Sequence, residues 1–213
     1  MRVPMVFASG DTGDFRFVND FARHTSWLHG PMVAYANDGV LLFGLLLVTG
    51  YLLARRAGSL LGVARALLVG AGVLLAVAVN QPIVHAVNEP RPYTRLPHAL
   101  LLVHRSLDAS FPSDHATMAG AAAAGLLWAH RRLGWAAVAA AALMAFSRVY
   151  VGAHYPIDVL AGLAVGAAVA ALTQQLAGPL SALLYRLLST KLQLLLTARQ
   201  ADAPQPARSS PSG

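Results

Sequence analysis

Five long apolar runs, each closed by charge, proline or a polar break, constrain this chain more than any other feature. They cover about 39–54, 60–79, 115–129, 135–150 and 156–176. Each approaches the roughly 20 residues that a bilayer asks of a helix. The first gains length from Tyr35–Asp38. A soluble fold would have to hide all five, and the composition offers little to hide them behind. The chain is 56% hydrophobic and 12% charged, against about 25% charged in soluble domains. Mean hydropathy is +0.55. Lipid as solvent removes the difficulty, and helices then satisfy their own backbones.

The segments between and around the runs complete the expected architecture. Residues 1–13 read as an irregular lead. In 14–29, Phe15, Val18, Phe21, Ala22 and Trp27 recur at helical spacing among charges. That pattern predicts an N-terminal helix at the interface, or one half-buried against the bundle. Residues 80–110 read as a long extramembrane loop, with a short half-buried helix at Leu100–Val103. Residues 179–197 carry Arg186 and Lys191 and suit a basic surface helix or a sixth span. The expectation is an all-α, polytopic membrane helix bundle with five to six transmembrane helices. Residues 1–197 form one integral membrane domain, and 198–213, with three prolines and three serines, form a disordered tail.

The net charge of +7 does not imply nucleic acid, because the basic residues flank apolar runs instead of striping a polar domain. The absence of cysteine excludes disulfides, thiolate nucleophiles and Cys-ligated metals. No short apolar core with a small-residue cleavage site opens the chain, so the first long run serves as the insertion signal. Arg55, Arg56, Arg65, Arg131, Arg132, Arg186 and Lys191 fall on one side if five spans alternate. The short-loop bias of basic residues assigns that side to the cytoplasm. The opposite side, the periplasm or cell exterior, then receives Arg91, Ser113, His115, Arg148, His154 and Asp158.

Those residues define a chemistry. His154 and Asp158 lie about one turn apart if a helix starts near Pro156. A carboxylate there can hold one imidazole nitrogen and leave the other unprotonated and nucleophilic. His115, in the first turn of the third run, suits general acid and base work. Ser113 suits an N-cap, and the free amides after it favour an anion. Arg91 and Arg148 offer fixed planar donors for phosphoryl oxygens. Mg²⁺ would want a carboxylate cluster that is missing. A zinc site from His115, His154 and Asp158 lacks an HExxH-type pair. His24, His29 and His130 read as interfacial or capping residues. Arg55, Arg56, Arg131 and Arg132 read as membrane anchors.

Three segments carry a family resemblance: Arg91-Pro92, Pro112-Ser113-Asp114-His115, and Ser147-Arg148 with His154 and Asp158. Together they resemble the type 2 phosphatidic acid phosphatase superfamily, whose pattern is K-x6-R-P, P-S-G-H and S-R-x5-H-x3-D. Two departures stand out. Asp114 replaces the commoner Gly, and Val84 occupies the Lys position. The resemblance implies His154 as nucleophile, His115 as general acid/base and Asp158 as the orienter of His154. It implies Arg91, Ser113, the Asp114 amide and Arg148 as the phosphate cradle, and no metal or other cofactor. Ala36-Asn37-Asp38-Gly39 and the F-P-S-D-H form look most like the bacterial undecaprenyl-diphosphate phosphatases of the bacitracin-resistance type. A polyprenyl or other lipid phosphate is then the expected partner. Alternatives are a phosphatidate or phosphatidylglycerophosphate phosphatase, a small transporter, or a non-catalytic scaffold. A transporter is expected to put its ionisable groups near the bilayer midplane, whereas here they stand at span ends.

Overall fold

Small residues at close helical spacing let one helix, α6, run through the centre of the bundle. The computed structural model describes residues 8–187 and residue 197. Among them the elements are α1 Ala8–His24, α2 His29–Asp38, α3 Val40–Arg56, α4 Leu60–Val87, α5 Pro92–Arg95, α6 Asp114–Ala129, α7 Arg131–Tyr150, α8 Pro156–Gln174 and α9 Ala177–Leu187. A short 3-10 turn, Ser26–Leu28, links α1 to α2. The described residues contain no strand.

Helix α6 packs against α4, α7 and α8. Its Ala116, Ala119, Ala121, Ala122 and Ala123 are all buried. Gly166 of α8 meets it so closely that an added Cβ would stand 2.6 Å from the backbone nitrogen of Ala121. Close backbone approach is the way helices gain dispersion contacts when lipid supplies no hydrophobic drive. Phe43, Val69, Leu126 and Met144 fill the larger gaps around α6.

Among the described residues, three helices or helix runs are long and apolar enough to cross a bilayer by themselves, and a fourth span arises if α2 and α3, bent by 55°, act together. Helix α6 has 16 residues, about 24 Å at 1.5 Å each, and is enclosed by its neighbours. The protein is a multi-pass membrane protein.

Several boundaries differ from expectation. Helix α4 runs to Val87, past the expected end at 79. Asn80, Gln81 and Pro82 look like a loop, but Asn80 and Val84 are buried against the bundle, and those contacts carry the helix on. Leu100–Val103 form no helix; Leu102 donates its backbone N–H to the carbonyl of Val151 at 3.0 Å. The only helix in that connection among the described residues is α5. Helix α7 starts at Arg131, four residues before the expected 135. Helix α1 begins within the expected irregular lead and buries Phe15, Asn19 and Ala22 while exposing Phe17 and Phe21. It lies on the bundle with one face. Helix α9 covers the start of the expected 179–197 helix; residues 188–196 and the 198–213 tail lie outside the described residues.

Candidate active site

The ends of four helices converge at one end of the bundle. Arg91 follows the C-terminus of α4, Ser113 and His115 open α6, Arg148 closes α7, and Asp158 opens α8. The arginine pairs Arg55–Arg56 and Arg131–Arg132 stand at the other end. The chain turns from α7 to α8 through Gly152 at φ +80. A side chain there would be strained, and its Cβ would also run into the carbonyl of Leu100. The turn is secured by the amides of Ala153 and His154, which both donate to the Arg148 carbonyl, at 3.1 and 3.3 Å.

His154, delivered by that turn, is 2% exposed. Its Nδ1 lies 2.9 Å from the carbonyl of Ser110, and its Nε2 lies 3.1 Å from Arg91 Nη1. A carbonyl only accepts and a guanidinium only donates. Nδ1 therefore carries the proton and Nε2 presents a bare lone pair. Burial, with the charges of Arg148 and Arg91, pushes this imidazole well below the usual histidine range, against a smaller opposite pull from the Ser110 carbonyl.

Asp158 is also buried, but its carboxylate is 3.6 Å from His154 Nδ1, too far for a hydrogen bond. Its Oδ2 accepts from the Tyr155 amide at 2.8 Å and from the Ser110 hydroxyl. Ser110 thus stands between carboxylate and imidazole: its hydroxyl donates to Asp158 and its carbonyl holds His154. Asp158 reaches His154 through Ser110, a residue that the sequence reading did not single out.

Arg91 faces the bare nitrogen of His154, and the charge of Arg148 also acts on the ring. Arg91 is also held by the carbonyls of Asp108, from Nε at 2.9 Å, and Ala153, from Nη1 at 3.2 Å. Arg148 is 8% exposed and donates from Nη1 to the Ala36 carbonyl at 3.1 Å. Its Nε is buried without a partner, and no carboxylate lies within ion-pair distance of it among the described residues. Ser113 stands at the N-cap position of α6 without a capping bond from its side chain; its Oγ is buried and unpartnered. His115 is half-buried on the first turn of α6, and Asp114 is exposed beside it. Unpartnered donors beside a buried guanidinium are costly unless something anionic uses them. No three His, Asp or Glu among the described residues group closely enough to hold a metal ion.

A membrane bundle with this constellation at one end is a phosphatase of lipid phosphates. The PAP2 superfamily model matches residues 65–180, and the chain belongs to that superfamily. An undecaprenyl-diphosphatase, BcrC of Bacillus subtilis (strain 168), is 33% identical over 151 residues, which are 71% of this chain and 76% of the relative. The crystal structure of LpxE of Aquifex aeolicus superposes with a TM-score of 0.59 at 27% identity, over 76% of this chain and 92% of that one. A PAP2-type phosphatidylglycerolphosphate phosphatase from Bacillus subtilis superposes with a TM-score of 0.63 over 80% of this chain and 86% of its own. At 22% identity this last likeness speaks for the fold alone.

Proposed function

We propose that the protein hydrolyses undecaprenyl diphosphate to undecaprenyl phosphate and inorganic phosphate through a phosphohistidine, at the outer face of the bacterial plasma membrane. The observation that carries this reading is the tautomer of His154, whose proton sits on Nδ1 and whose bare Nε2 faces the Arg91 guanidinium. Nε2 attacks the terminal phosphorus; a P–N bond forms and the bond to the bridging oxygen breaks. His115 gives its proton to the departing lipid phosphate. His115 then takes a proton from water, the hydroxide attacks the phosphohistidine, and inorganic phosphate leaves with His154 and His115 restored. Arg91, Arg148, the Ser113 hydroxyl and the Asp114 amide hold the phosphoryl oxygens. Asp158 orients His154 by way of Ser110. The charge work that a metal would do falls to the two arginines, so the reaction runs without one. The likeness to the undecaprenyl-diphosphatase BcrC supports the choice of lipid.

The test is phosphate release from undecaprenyl diphosphate by the purified protein in detergent with EDTA, beside His154→Ala. Release by the wild type, cut ~10³-fold or more in the variant, is expected for loss of a nucleophile. Activity abolished by EDTA would sink the metal-free route. Release from phosphatidate but not from undecaprenyl diphosphate would keep the mechanism and move the substrate.

A further inference from the structure

Beside the site, the buried Asn80 anchors a polar cluster whose side chains play no part in the chemistry above. Asn80, on α4, has no exposed surface. Its Nδ2 donates to Asp114 Oδ1 at 2.7 Å and to the Pro112 carbonyl at 3.2 Å. Gln81 Nε2 donates to the same Asp114 oxygen at 2.9 Å. Both partners of Asn80 are acceptors, which fixes its amide orientation and leaves its Oδ1 buried without a partner. A polar side chain held at this cost inside a membrane bundle marks a functional constraint.

The two residues that Asn80 grips, Pro112 and Asp114, flank Ser113. Asp114 is the first residue of α6. A free carboxylate at that point would compete with a bound anion for the open amides of the first turn. Two side-chain amides draw it instead onto α4. We propose that Asn80 and Gln81 are positioning residues. They tether the Asp114 carboxylate to α4 and fix Ser113 from both sides, so the Ser113 hydroxyl and the first amides of α6 stay open to a phosphoryl group. The proposal rests on the phosphate-ester reading of the site, and it gives the acidic residue at an anion site a reason to be tolerated.

The experiment is a double-mutant cycle with Asn80→Ala, Asp114→Ala and the pair, with Gln81→Ala and Asp114→Asn alongside. Two quantities are read in detergent: kcat and KM on the lipid substrate, and the Kd for orthovanadate by calorimetry. Thermal midpoints are taken in parallel. Asn80→Ala is expected to weaken vanadate binding about tenfold and Gln81→Ala by less, as for one lost hydrogen bond to a charged group. The double variant is expected to be no worse than the poorer single, because the two changes remove one interaction. Asp114→Asn keeps an oxygen for both donors, so it is expected to bind vanadate well above Asp114→Ala. Full additivity, or vanadate affinity unchanged in Asn80→Ala, overturns the proposal; so does a fall in thermal midpoint with no change in affinity or kcat. No binding of vanadate by the wild type also overturns it. Vanadate binding without hydrolysis of any lipid phosphate would instead sink the proposed activity and leave the cycle to decide the tether.

Discussion

A histidine enclosed beside two arginines is neutral because burial and like charge both oppose its protonation. For His154 both act in the same direction. A nucleophile so depressed stays unprotonated in mild acid. The acid limb of kcat/KM, which reports the free enzyme, is therefore expected below the ordinary histidine value of about 6.5. Arg91→Gln removes one of the charges that lower it, so the limb should move toward neutrality while the rate falls. Substrate ionisation is common to both enzymes and cannot produce that difference. Profiles from pH about 4 to 8 check it, and coincident limbs in wild type and Arg91→Gln would refute the argument. At this scale the sequence spacing made His115, Arg148, His154 and Asp158 legible, since each lies at the edge of an apolar run. Ser110 was not legible. Its bonds reach 44 and 48 residues along the chain, from a loop with no periodicity to mark it. Asn80 did carry a signal, an amide that with Gln81 closes an apolar run, but the polar stretch that follows made both read as loop.

Among the elements, the packing of α8 on α6 decides whether the site is held. The first turns of these helices carry Asp158 and His115, so any separation of the two is felt at the phosphate cradle. Gly166 shows how little slack there is, with Thr117 and Ala121 backbone atoms in the space that a Cβ would need. Gly166→Val is expected to cost about 1–3 kcal/mol or more, as overpacking does. It should lower the thermal midpoint in detergent and reduce kcat; a variant with an unchanged midpoint and full activity would show that the helices part freely. The third apolar run is rich in Ala and Gly, residues that let helices approach closely, so this packing was legible in the sequence. The length of α4 was less legible. Pro82 lacks an N–H and normally ends or kinks a helix; the bonds of Asn80 and Gln81 to the start of α6, with the burial of Val84 beyond Pro82, explain why α4 continues.

For the whole molecule, the helix ends separate two populations of charge. The site and its arginines stand at one end, and Arg55, Arg56, Arg131 and Arg132 at the other. If basic residues in short loops stay on the cytoplasmic side, the site faces outward, as proposed above. An outward face would suit the proposed lipid diphosphate, whose headgroup then need not cross the bilayer to reach His154. The absence of cysteine gives this orientation a clean test, because one introduced thiol is the only thiol. Leu107 projects fully from the loop before α6, and Ala57 is exposed between α3 and α4. In intact cells a membrane-impermeant maleimide is expected to label Leu107→Cys at once and Ala57→Cys only after permeabilisation. The reverse pattern would place His154 on the cytoplasmic face. The substrate would then have to be a lipid phosphate of the inner leaflet, and the charge rule would have failed because the site end carries Arg91, Arg95 and Arg105 of its own.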